Sequence, residues 1–124
     1  MRSWEDERYK AWRFPVIIDY PGVDMSRIYP LQQQKVANII SAIKDDSRVD
    51  CVILFGSSVN MRCTIHSDLD FVVKLKDIST QSKNEVSEKI QEACDWSADI
   101  LWFDHLSEKD RVFQEMRMGV KIYE

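Results

Sequence analysis

The chain contains three glycines, and one of them, Gly56, follows the apolar run Cys51, Val52, Ile53, Leu54, Phe55 and immediately precedes Ser57. A glycine in that position lets backbone approach a ligand closely, and a helix starting beyond it would offer N–H donors and a positive dipole end to a phosphate. Ser57 adds a hydroxyl at the same place. Ten residues separate Ser57 from Asp68, which is followed by Leu69 and Asp70. In a strand, that i, i+2 spacing sends both carboxylates to one face and Leu69 to the other. Two negative charges so close repel each other unless a cation fills the gap. Magnesium, which is shared between one or two carboxylates and substrate phosphates, is the natural filler. Asp-x-Asp alone is common in solvated turns, and Gly-Ser alone says less. Joined at this spacing around apolar strands, they point to metal and phosphate.

Several elements must position these residues. Leu31, Val36, Ile39, Ile40 and Ile43 recur at helical spacing, and Asp45, Asp46 and Ser47 supply a stop. Residues 51–55 form a short continuous apolar run, the pattern of a buried strand ending at Gly56. Phe71, Val72 and Val73 make a second strand beginning near Asp68. Val86, Ile90 and Ala93 share one helical face within the polar segment 79–94. Residues 99–103 form a third strand. Ser107 and Asp110 resemble a capping box for a helix with Val112, Phe113 and Met116 on one stripe, which Gly119 can terminate. Residues 120–123 close the chain as a small strand. The alternation predicts an α/β (α+β) fold, a mixed β-sheet flanked by helices.

Bulk properties narrow the function. At 124 residues there is room for one domain. With 44% hydrophobic and 31% charged residues the composition is that of a globular protein. A net charge of −4 offers no broad basic footprint, so extended nucleic acid is not expected as a partner. No apolar run approaches the roughly 20 residues that span a bilayer, and the first ten residues are charged rather than signal-like. A cytoplasmic protein with no membrane association is expected. Cys51, Cys63 and Cys94 contain no C-x-x-C pair, which suggests neither a disulfide framework nor zinc. Residues 1–30 carry all three prolines and six aromatics, the composition of an arm that docks on its own domain or on a partner. Removing residues 1–28 is expected to leave a folded domain.

A strand, Gly-Ser, ten residues and Asp-x-Asp opening a second strand resembles the minimal nucleotidyltransferases (MNT) of the DNA polymerase beta superfamily. The likeness runs from Leu31 to Glu124, dividing the chain into an aromatic-rich N-terminal arm, 1–30, and a nucleotidyltransferase domain, 31–124. The resemblance implies the nucleotidyltransferase fold and a third carboxylate on a neighbouring strand. Asp99 fits that slot, while Asp95 and Asp104 flank the strand on loops. It further implies two magnesium ions held by Asp68, Asp70 and Asp99, the same three residues serving catalysis. Gly56 and Ser57 would hold the phosphates of a nucleoside triphosphate, ATP in first place. Many relatives carry Arg or Lys one and three residues after the serine, where this chain has Ser58 and Asn60. Arg62 is the nearest cation and is expected to bind the nucleotide, with Lys74 and Lys76 as alternatives for neutralising the triphosphate; His66 is assigned no role.

The implied reaction transfers a nucleoside monophosphate, AMP first, to a hydroxyl acceptor. Many short relatives resemble the antitoxin half of a pair whose partner is a HEPN-type ribonuclease, so the acceptor is expected on such a partner protein, or across a homodimer. The alternative is a non-catalytic module of the same fold that neutralises its partner by contact.

Overall fold

The structure, a computed structural model, describes residues 13–59 and 67–124. Helix α1 spans Pro30–Ile43 and leads into strand β1, Val49–Phe55. Strand β2, Leu69–Leu75, is followed by α2, Thr80–Ala93, and β3, Ala98–Trp102. Helix α3, Arg111–Arg117, and β4, Val120–Tyr123, complete the chain. The strands lie in the order β3-β2-β1-β4. β1 is antiparallel to β2 and β4, whereas β2 and β3 are parallel. A parallel pair needs a crossover, and α2 supplies it. The expected mixed sheet flanked by helices is what forms.

Alternation along the strands gives the sheet two unequal faces. Val52 and Leu54 of β1 and Leu69, Phe71, Val73 and Leu75 of β2 pack in the main core with Val36, Ile39, Ile40 and Ile43 of α1 and Val86 and Ile90 of α2. Each such side chain contributes about 1.5–3 kcal/mol when fully buried. The other face is thinner: Phe55 and Val72, with Ile53, Leu101 and Phe103, meet Met116, Val112 and Phe113 of the short α3. Asp70 and Asp99 share parity with Val72 and Leu101, so both belong to this thinner side.

Local chemistry accounts for the helix ends. Pro30 opens α1, where its missing N–H costs nothing and its fixed φ suits the first turn. Ser79 caps α2 by accepting from the Ser82 N–H at 3.2 Å. At α3 the reach-back half of the expected capping box is present, the Ser107 N–H donating to Asp110 Oδ2 at 2.8 Å. The helix nevertheless starts at Arg111 with Asp110 as its N-cap, and Ser107 Oγ accepts from Lys109 N instead. The helix ends just before Gly119 as expected, although this glycine is not left-handed. A β-carbon there would run into the Leu54 carbonyl oxygen and press on Ile53. Close approach of the α3–β4 turn to β1, not handedness, demands this glycine.

The described part of the N-terminal segment is built into the core. Met25 and Ile28 are buried there, and Ile18, Tyr20 and Val23 pack against the same core. Fully buried Gln33 holds the segment through its amide: Oε1 accepts from Ile17 N (2.7 Å) and Ile18 N (3.0 Å), and Nε2 donates to the carbonyls of Pro15 (2.8 Å), Ile28 (2.9 Å) and Met25 (3.1 Å). Such a buried amide is tolerable only because both of its ends are satisfied. This packing argues against the expectation that removing residues 1–28 leaves a folded domain. Trp4, Tyr9 and Trp12 lie outside the described residues.

Candidate active site

β2 begins at Leu69, so Asp68 stands one residue before the strand, exposed, and Asp70 is its second residue, partly buried. Antiparallel pairing sets Phe55 of β1 opposite Asp70. Parallel pairing sets Asp99 of β3 opposite Asp70 on the other side. Gly56, the first residue beyond β1, therefore falls beside Asp70. Its φ is +78°, and a β-carbon built on it would lie 2.5 Å from Asp70 Oδ2. Both conformation and contact require glycine at this position.

Burial pushes the Asp70 carboxyl up to about 6, and the negative charges of Asp99, Asp68 and Glu115 add to the rise. Glu115, on α3, could not be foreseen from the motif: a separate helix brings it over the sheet, where it pairs with Arg111 at 3.7 Å. Among the described residues, no Lys, Arg or His is ion-paired with Asp68, Asp70 or Asp99.

No group of three His, Cys, Asp or Glu side chains among the described residues forms a ready ligand cluster. Two register-paired carboxylates with a third at the strand entrance nevertheless suit magnesium, which takes few protein ligands and completes its shell with water and phosphate oxygens. The uncompensated repulsion at Asp70 is what such an ion would relieve.

The remaining expected residues separate clearly. Ser57 lies in the 3-10 turn Gly56–Val59, which stands where the sequence suggested a helix start; Asn60, Arg62, Cys63 and His66 lie outside the described residues. Ser58 is fully buried, with its Oγ unpaired. Asp104 is held by Lys83 at 2.7 Å, which keeps its carboxyl below the usual range. Asp95 sits in a left-handed turn after α2, with φ 55°. Lys74 is four residues along β2 from Asp70, roughly 13 Å away. It pairs with Asp50 at 3.6 Å and lies over the Phe103 ring. It and Lys76, farther along, lie away from Gly56 and Asp70, which removes them as the alternatives to Arg62. Sequence reasoning missed Gln32, whose Nε2 donates to the Ser67 carbonyl at 3.1 Å and so steadies the residue before Asp68. It also missed the Tyr29 N–H, which donates to the Ser58 carbonyl at 2.8 Å. No helix among the described residues is long and apolar enough to cross a membrane.

The mixed sheet, the glycine turn and the paired aspartates define a nucleotidyltransferase-type domain. Residues 37–124 match the family model described as Polymerase beta, Nucleotidyltransferase, and the chain belongs to that family. Solved structures share the fold. A chain of the complex between tri-AMPylated Shewanella oneidensis HEPN toxin and MNT antitoxin is 22% identical with a TM-score of 0.51, covering 74% of this chain and 71% of that one. A chain of the toxin-antitoxin MntA-HepT matches with the same identity and TM-score. A chain of a toxin-antitoxin with AMP-PNP reaches a TM-score of 0.55 at 22% identity, covering 71% of this chain and 72% of that one. No curated protein matches the chain.

Proposed function

We propose that this protein transfers a nucleoside monophosphate, AMP in first place, from a nucleoside triphosphate to a hydroxyl on a partner protein of the HEPN type. The carrying observation is the register pairing of Asp70 with Asp99 beside the left-handed Gly56. The fold likeness to a chain from a complex with a tri-AMPylated toxin, and to one from a toxin-antitoxin with AMP-PNP, supports the reading.

In this reading Asp68, Asp70 and Asp99 would hold two magnesium ions, which would supply neutralisation of the phosphate charge. Gly56 lets the turn approach the β- and γ-phosphates, and Ser57 donates its hydroxyl to them. Asp99 orients the acceptor hydroxyl for in-line attack at the α-phosphorus and draws on its proton, while the bond to pyrophosphate breaks. Fixed strands hold these groups, and positioning with electrostatics supplies most of the rate in such transfers.

The buried, unpaired Ser58 hydroxyl, where relatives carry a cation, favours a second reading: a non-catalytic module that neutralises its partner by contact. Incubation of the protein with the partner encoded beside it, labelled ATP and magnesium decides between them. Label on the partner, lost with Asp70→Asn, supports transfer. Tight binding without label supports contact alone.

A further inference from the structure

A triphosphate at this site meets a surplus of negative charge from Asp68, Asp70, Asp99 and Glu115, while Ser58 and Asn60 occupy the positions where many relatives carry cations. One cation comes from the segment that braces the Gly-Ser turn, outside the motif. Arg27 ends the 3-10 turn Met25–Arg27, two residues before Tyr29, whose N–H holds the Ser58 carbonyl. Its Nη2 donates to the Met118 carbonyl at 3.1 Å.

Met118 lies at the same end of the sheet. β4 pairs with β1 through Leu54↔Val120, and Met118 caps the helix just before β4, in the turn where Gly119 packs on the Leu54 carbonyl. On the other side Phe55 pairs with Asp70, and Asp70 with Asp99. That end of the sheet thus carries Asp99, Asp70 and Gly56 on neighbouring strands about 4.8 Å apart, and beyond them the turn into β4, with Arg27 on the Met118 carbonyl. The row has acids at one side, the glycine turn in the middle and a guanidinium at the other.

Arg27 is partly buried, and no carboxylate among the described residues pairs with it. A partly desolvated cation met only by a carbonyl is costly unless an anion joins it. A guanidinium has five N–H donors in a planar fork that matches phosphate oxygens. We infer that Arg27 binds the terminal phosphates of the nucleoside triphosphate. This rests on the nucleotidyltransferase reading and adds to it the cation that the motif lacks.

Calorimetric titration of the full chain in magnesium, with ATP, AMP and inorganic tripolyphosphate as separate ligands, tests the assignment. Arg27→Ala is expected to weaken ATP and tripolyphosphate by about tenfold or more, the effect of losing a charge-assisted phosphate contact. AMP binding should change by less than about twofold, since AMP lacks those phosphates, and Arg27→Lys should recover part of the loss. Arg27→Gln keeps a donor for the Met118 carbonyl and gives the same comparison should the alanine variant unfold. Equal weakening of ATP and AMP, or no change in either, overturns the role of Arg27 alone. A wild-type chain that binds neither ATP nor tripolyphosphate overturns the nucleotidyltransferase reading and this assignment with it.

Discussion

Gly56 and Asp70 meet where β1 ends: a β-carbon on Gly56 would lie 2.5 Å from Asp70 Oδ2 and 3.3 Å from its Cγ, and the Gly56 φ of +78° already disfavours any side chain. Gly56→Ala should cost about 1–2 kcal/mol for the left-handed backbone alone, and it should displace Asp70 as well. The expected outcome is a lower Tm together with loss of magnesium-dependent ATP binding. Wild-type ATP affinity in this variant would show that the turn does not face the ligand.

Asp70 is poised at the expense of the fold. Its carboxyl is raised to about 6, first by burial and then by Asp99, Asp68 and Glu115, against about 3.9 in an unfolded chain. A raised carboxylate pKa means that ionisation opposes folding. The penalty is complete above about pH 6, shrinks as pH falls through that value, and is gone below about pH 4. Asp70→Asn in EDTA at pH 7.5 should therefore stabilise the chain by on the order of 1–2 kcal/mol, discounted for solvent screening. The gain should vanish near pH 4, and magnesium-ATP should no longer raise the Tm of the variant. Thermal melts across pH, with and without ligand, check both halves.

Asp99 and Asp104 flank one short stretch but differ in partners. Asp99 faces Asp70 across the parallel pair, whereas Asp104 is occupied by Lys83 at 2.7 Å. Asp99→Asn should lower the transfer rate by on the order of a hundredfold with a smaller change in ATP affinity, as for one positioned catalytic group. Asp104→Asn should leave transfer near wild type and cost at most about 1 kcal/mol of stability. The reverse pattern would move the third carboxylate to Asp104.

Asp46 supplies an acid-sensitive tie remote from the site. Its carboxylate accepts from the Arg48 Nε and Nη2 at 2.9 and 2.7 Å and from the Lys89 Nζ at 2.8 Å, joining the α1–β1 turn to α2. Arg48 first, with Lys89, holds this carboxyl well below the usual range. A depressed carboxylate pKa stabilises the fold above the unfolded value near 4, and that stabilisation is lost as pH falls below it. Asp46→Ala should destabilise by about 1–3 kcal/mol at pH 7, and the difference from wild type should narrow below pH 4. Denaturant titrations at pH 7 and pH 3 measure it.

Removing residues 1–28 takes Met25 and Ile28 out of the main core and strands the Gln33 amide. At about 1.5–3 kcal/mol for each buried side chain, the truncated chain should unfold or melt far below wild type. Circular dichroism melts of the truncated and full chains measure the difference, and a stable chain lacking 1–28 would show that this core contact is dispensable.

Sequence neighbours alone determined the alternating elements, the inward stripes of α1 and α2, the strand parity of Asp70, and the joint spacing of Gly56, Ser57, Asp68 and Asp70, because periodicity and turn chemistry act over a few residues. The resemblance of that spacing to a known family singled out Asp99. Its place opposite Asp70 depends on how the α2 crossover sets the parallel register. The charge of Glu115 acting on Asp70, Gln32 on the Ser67 carbonyl, Arg27 on the Met118 carbonyl and the burial of Met25 and Ile28 had no local signature. Gly119 follows the helix end as its sequence position suggested, and its close packing on Leu54 had no local signature. Lys74, eligible by type, stands at the far end of β2 with Asp50. These relations join residues far apart in the chain, and only the packing of elements in three dimensions decides which side chains share one end of a sheet.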